Sequence, residues 1–216
     1  MKVVLIALLC ASIVPAMAQS APRTTGASKP TTAKRAPSAA VRSECVTAVG
    51  LCVTVPASWQ RLGNIFDDLG FVVAEQHAGT DSASWPQISV AAIDVPPQKG
   101  GSALSLDALV DIVLTPDGSF TSSETQQRTR LLLNGASAEI LRVKLHNDAA
   151  TDATQADTIE EVALIEGDDG LVYSIALRCA PSELTRLEPI FQKTARSWRV
   201  KPPAIPAKPT QDSDKK

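Results

Sequence analysis

The chain has 216 residues, 20% of them charged, and a formal net charge of −2 that conceals strong segregation along its length. Residues 44–199 hold 11 Lys or Arg against 21 Asp or Glu, about −10. A surface of that sign does not neutralise phosphates, so a nucleic-acid groove in the body is excluded.

From the N-terminus, Lys2, an apolar run from Val3 to Val14, and Ala16-Met17-Ala18 have the layout of a cleavable export signal. The run is too short for a membrane anchor, and small residues stand where a signal peptidase cuts. Residues 1–18 are expected to be removed, leaving no integral membrane segment in a secreted or periplasmic protein. Leu9 stands where a lipoprotein signal needs a small residue, so Cys10 is not expected to carry a lipid. Residues 19–43 contain Arg23, Lys29, Lys34, Arg35 and Arg42, without an acid, among Ala, Thr, Ser and Pro. With no apolar period, they read as a disordered basic linker. Residues 201–216, with Pro202-Pro203, Pro206 and Pro209, read as a disordered Pro-rich tail. One domain, residues 44–200, lies between, long enough to bury roughly two thirds of its unfolded surface.

The domain opens with a hairpin, Cys45–Ala48 and Leu51–Val55, ended by Pro56-Ala57-Ser58-Trp59. Phe71–Glu75 and Gln87–Val95 are the next strands, separated by a polar loop with His77, Asp81 and Trp85-Pro86. Leu106, Leu109, Val110, Val113 and Leu114 form the apolar stripe of an amphipathic helix with Ser105 as its cap, ending at Thr115-Pro116-Asp117-Gly118. Asn134-Gly135 tolerates the positive φ of a tight turn and joins Thr125–Leu133 to Ala136–His146. In the second arm Leu141, Val143 and Leu145 alternate with Arg142, Lys144 and His146, which predicts one buried face and one exposed face. Thr158–Glu166 and Leu171–Arg178 pair across Gly167-Asp168-Asp169-Gly170, with Leu171, Tyr173, Ile175 and Leu177 on one face. Leu184, Leu187, Phe191 and Ala195 predict a final amphipathic helix that Pro189 kinks or breaks, and Ser197–Val200 closes the domain. The order ββ, ββ, α, ββ, ββ, α, β is that of an α+β fold with an antiparallel sheet.

The run Cys52-Val53-Thr54-Val55-Pro56-Ala57-Ser58-Trp59 resembles the strand-Pro-x-x-Trp opening of the PsbP-like superfamily, which includes the DcrB-type bacterial envelope proteins. Tyr173-Ser174-Ile175-Ala176-Leu177, the helix with Phe191, and Ser197-Trp198 resemble its closing strand, helix and Ser-aromatic pair. The resemblance covers residues 45–200. It implies an α/β/α sandwich: a central antiparallel sheet and two main amphipathic helices. It also implies that Trp59 and Trp198 are core. Members range from accessory subunits to partner-binding modules, and no shared catalytic residues carry over.

After cleavage three cysteines remain, Cys45, Cys52 and Cys179. A four-residue loop, Thr47–Gly50, sets Cys45 opposite Cys52, where they can bridge; a two-residue Val49-Gly50 turn makes them diagonal and too far apart. Cys45–Cys52 is the favoured disulfide with Cys179 as the unpaired thiol, and Cys52–Cys179 is the alternative. No Cys-x-x-Cys supports redox chemistry, and no His-Glu-x-x-His or Gly-x-Ser-x-Gly supports zinc or serine hydrolysis. Asp148, Asp152, Asp157, Asp168 and Asp169 lack calcium-loop spacing and read as solvated. No metal or cofactor is expected. His77 and His146 read as surface histidines; Trp85, with His77, is the contact candidate. The expectation is an exported, non-catalytic binding or accessory module for an unidentified envelope protein or small ligand. A periplasmic hydrolase using His77 or His146 and a small-ligand carrier are the alternatives.

Overall fold

The computed structural model describes residues 40–77, 85–93, 106–115, 120–147 and 157–201. The signal, nearly all of the linker, Ser105, Asp81, Asp148, Asp152, Pro116 to Gly118 and the tail after Lys201 lie outside them. Ten strands and two helices are described: β1 (Val41–Val46), β2 (Leu51–Pro56), β3 (Gln60–Ile65), β4 (Gly70–Ala74), β5 (Gln87–Ile93), α1 (Leu106–Leu114), β6 (Ser122–Leu133), β7 (Ala136–His146), β8 (Asp157–Glu166), β9 (Val172–Cys179), α2 (Leu184–Arg196) and β10 (Arg199–Val200). A 3₁₀ turn, Pro181–Glu183, leads into α2. The fold is α+β, and every strand pairing is antiparallel.

There are two sheets, where the sequence pointed to one. β1, β2 and β10 form a three-stranded sheet, and the other seven run in the order β3-β4-β5-β9-β8-β7-β6. In β2 Leu51, Cys52, Val53 and Val55 are all buried, so both of its faces are covered. Pairing begins at Val41↔Pro56, three residues before the expected domain start. The loop Thr47–Gly50 places Cys45 opposite Cys52, with their Cα atoms 4.1 Å apart and their sulfurs joined. Gly50 has φ +69°, and a Cβ there would stand 2.0 Å from the Lys201 carbonyl oxygen, so glycine is required for the closing residues to approach. The Lys201 N–H donates to the Gly50 carbonyl at 2.9 Å.

Period-two alternation sends successive residues of the seven-stranded sheet into two cores. Tyr173, Ile175 and Leu177 of β9 join Leu187, Phe191 and Ala195 of α2, Val53 and Val55 of β2, Trp59 and Trp198. Val172 and Ala176 join Leu106, Leu109 and Val110 of α1, with Leu141, Val143 and Leu145 of β7. Each large apolar side chain fully withdrawn from water contributes about 1.5–3 kcal/mol.

Three expectations change. β3 was not foreseen. α2 runs unbroken through Pro189; Pro189 and Thr185 are both exposed, so the carbonyl that loses its helical donor sits on the solvent side. Arg142 is not exposed: α2 covers it, and its Nη2 donates to Glu188 at 2.7 Å and lies 3.3 Å from Glu161.

Candidate functional site

β4 and β5 end together: the Glu75 N–H donates to the Pro86 carbonyl at 2.9 Å, so His77 and Trp85 flank the same end of the sheet. The 3₁₀ turn and the first turn of α2 bring Glu183 and Arg186 to that end. Arg186 grips Glu75 with both terminal nitrogens, at 3.0 and 2.7 Å, and donates to Glu183 at 2.9 Å. The His77 Nε2 lies 3.7 Å from Glu75 and 4.0 Å from Glu183. The guanidinium of Arg186 holds the Glu75 carboxyl below its usual range, and Glu75 in turn raises Arg186.

Glu75, His77 and Glu183 each offer one ligand atom, all within 4.8 Å of one another. This donor set suits a divalent cation, which the sequence did not anticipate. Arg186 already supplies the positive charge on both carboxylates, so a metal has to displace it. The i,i+3 pair Glu183–Arg186 was readable in the sequence; Glu75, 111 residues from Arg186, was not.

His146 lies elsewhere. Its Nδ1 is 2.7 Å from Asp157, which also binds Lys144 at 2.7 Å and is held low by these two partners, Lys144 first. β4 and β7 are four strand spacings apart, roughly 19 Å, so the two histidines do not form one site. Cys179 is buried, and desolvation pushes its thiol up to about 12, which makes it a poor nucleophile. Trp59 and Trp198 are core, while Trp85 is half-buried.

Two more polar groups were unforeseen. Glu139 is fully buried on the α1 side of β7, where Arg128 and Arg130 of β6 both bind it; both arginines also reach Asp107 of α1. On the α2 side, Glu161 is buried beside Arg142, and desolvation, its leading cause, raises its carboxyl. No described helix is long and apolar enough to cross a membrane.

No family model matches the chain, and no curated protein does. Solved structures do. The Ran-binding protein Mog1p of Saccharomyces cerevisiae aligns with 76% of this chain and 96% of its own, at 14% identity and a TM-score of 0.50. Cyanobacterial PsbP from Synechocystis aligns with 79% of this chain and 98% of its own, at 13% identity and 0.49. LpqN of Mycobacterium tuberculosis, involved in cell envelope biogenesis, aligns with 78% and 88%, at 14% identity and 0.45. At these identities the likeness is one of fold, and it is the Mog1p match that carries it: the chain has a PsbP/Mog1-like fold, in keeping with the resemblance of its opening and closing motifs.

Proposed function

We propose that this chain is an exported, non-catalytic binding or accessory module that docks on a protein partner of the cell envelope. Residues 1–18 are its export signal, 19–43 its basic linker, of which Val41–Ser43 already pair in β1, 44–200 the rest of its folded domain and 201–216 its Pro-rich tail. The observation that carries the reading is how the reactive groups are used. Glu75 and Glu183 are tied by Arg186, Asp157 by Lys144 and His146, and the Cys179 thiol is buried. Such commitments position a surface and leave little for acid–base work. Mog1p, the Ran-binding protein of like fold, offers a precedent for binding on this architecture.

Packing of α1 and α2 into separate cores supports reading the domain as an α/β/α sandwich. Cys45–Cys52 is its structural disulfide, Cys179 its unpaired thiol, and Trp85 with His77 marks a first contact point. N-terminal sequencing of the exported protein is expected to begin at Gln19. Pull-down from envelope fractions is expected to recover a partner with the mature chain and less of it with Trp85→Ala; recovery of nothing would overturn the reading. A hydrolytic activity lost in His77→Ala or His146→Ala would replace it with an enzyme.

A further inference from the structure

β6 is the longest of the described strands, 12 residues, and lies at the edge of the seven-stranded sheet. Among the described residues its strand partner is β7 alone, and the Leu133 carbonyl at its end also accepts from the Trp198 indole. An open edge is a template for another extended chain, and proteins protect such edges with bulges and charges. β6 has a bulge between Thr125 and Gln127, but from Gln127 to Leu133 its register with β7 is unbroken. This stretch presents Arg128, Arg130 and Leu132 on one face, opposite Leu141, Glu139 and Ser137. Leu132 is 70% exposed, the most exposed of the large apolar residues described. It borders an open depression of about 460 Å³ lined also by Leu106, Leu131, Ala138, Arg130 and the acids Asp107 and Glu166.

The side chains of Arg128 and Arg130 are 42% and 61% exposed. Each uses Nε for Glu139 and Nη2 for Asp107, which leaves Nη1 of both without a hydrogen bond among the described residues. A second copy of this chain fits poorly. Laid antiparallel over the same seven residues, it sets Arg130 against Arg130, and like charges directly opposite one another destabilise a sheet. An acid in that position is attracted instead, and an apolar side chain covers Leu132.

We propose that the Gln127–Leu133 edge of β6 is a docking site for an extended segment of another protein. The segment adds antiparallel to the sheet and carries the pattern apolar-x-acid-x-acid against Leu132, Arg130 and Arg128. Main-chain hydrogen bonds supply the attachment, and the alternate side chains supply the choice of partner. The proposal rests on the binding-module reading and gives it a surface and a partner chemistry, independent of the Trp85 end.

The probe is a blocked peptide, Thr-Val-Thr-Asp-Thr-Asp-Thr, titrated into the mature chain and followed by amide hydrogen exchange and NMR. Saturable protection of the Arg128, Arg130 and Leu132 amides, which alternate with those bonded to β7, is expected. Lysines in place of both aspartates, or Leu132→Asp in the protein, are each expected to weaken binding by about tenfold or more. Leu132→Asp alters an exposed side chain and leaves the fold intact. No saturation by roughly 1 mM, equal binding of the lysine peptide, or protection away from β6 would overturn the site. Concentration-dependent protection of β6 without peptide would assign the edge to a second copy and overturn the partner. In pull-downs, a partner captured equally by Leu132→Asp overturns this site and leaves the module reading standing. No partner with either chain overturns the module reading.

Discussion

The indole Nε1 of Trp198 donates a hydrogen bond to the carbonyl of Leu133 at 3.1 Å, joining the chain's closing residues to the strand that precedes the Asn134-Gly135 turn. The turn answers: Asn134 Nδ2 donates to the Trp198 carbonyl at 2.8 Å and to that of Arg196 at 3.1 Å. Trp198 therefore fills the core beside Tyr173, ring centroids 5.8 Å apart, and also satisfies a buried acceptor. Trp198→Phe keeps most of the packing and loses the donor, so urea unfolding is expected to show a loss of about 1–2 kcal/mol. Trp198→Ala is expected to lose about 3–5 kcal/mol. No loss in Trp198→Phe would mean that the hydrogen bond contributes nothing separable, and equal losses would assign the whole effect to the donor.

The Cys45–Cys52 bridge closes a short loop, for which chain entropy gives about 2.5 kcal/mol. Cys45→Ser with Cys52→Ser is expected to destabilise by that order while Cys179 stays unreactive to alkylation until the protein unfolds. Non-reducing peptide mapping that recovers Cys52 joined to Cys179 would contradict the pairing.

Around Glu139 the cost of mutation is expected to be asymmetric. Its carboxylate is buried, whereas Arg128 and Arg130 reach solvent. Removing both arginines strands a buried charge and is expected to cost about 3–5 kcal/mol; Glu139→Leu leaves two solvated cations and costs less. Denaturant midpoints of Arg128→Gln/Arg130→Gln and of Glu139→Leu compare the two directly, and the reverse ranking would refute the argument.

Two carboxylates give opposite dependences on pH. Glu75 titrates below its ordinary 4.5 in the fold, so the stability it adds is complete above about pH 4.5 and is lost as pH falls through the folded value. Arg186→Gln is expected to return Glu75 to the ordinary range, as read by carboxyl NMR shifts, and to flatten this acid limb. Glu161 is raised, so its protonation adds stability as pH falls through its folded value towards 4.5. Glu161→Gln at pH 7 is expected to match the parent within about 1 kcal/mol or exceed it, because Arg142 keeps Glu188. A loss above about 2 kcal/mol would show that the carboxylate is needed.

What could be read beforehand was whatever had a local cause. Asn134 and Gly135 do take positive φ, 52° and 89°, and the stripe from Leu106 to Leu114 is α1. β3 escaped because Gln60-Arg61-Leu62-Gly63-Asn64-Ile65 is an edge strand, bulged between Arg61 and Gly63 and mostly exposed, so no apolar alternation marks it. Its turn was equally silent: Phe66, Asp67 and Asp68 all have positive φ without a glycine among them. Arg142 looked solvent-facing because period two identifies a strand's second face without saying what covers it; α2 does, from 46 residues away. The Glu75–Arg186 pair depends wholly on folding, since neither residue has a local sign of the other.

β2 is held on one side by β1 and on the other by β10, and the described chain enters beside Pro56 and leaves beside Gly50, at opposite ends of that strand. Tension applied between residues 40 and 201 therefore runs along the strand axis and loads the bonds on both sides of β2 in shear rather than peeling them singly. On the β1 side the load passes through a covalent bond. On the other side the load meets no covalent bridge: Arg199, Val200 and Lys201 pair with β2 and Gly50, and behind them Ser197 Oγ accepts from the Thr54 N–H at 2.7 Å. Single-molecule pulling should find β10 detaching first, so that under mechanical load the domain gives way from its closing residues.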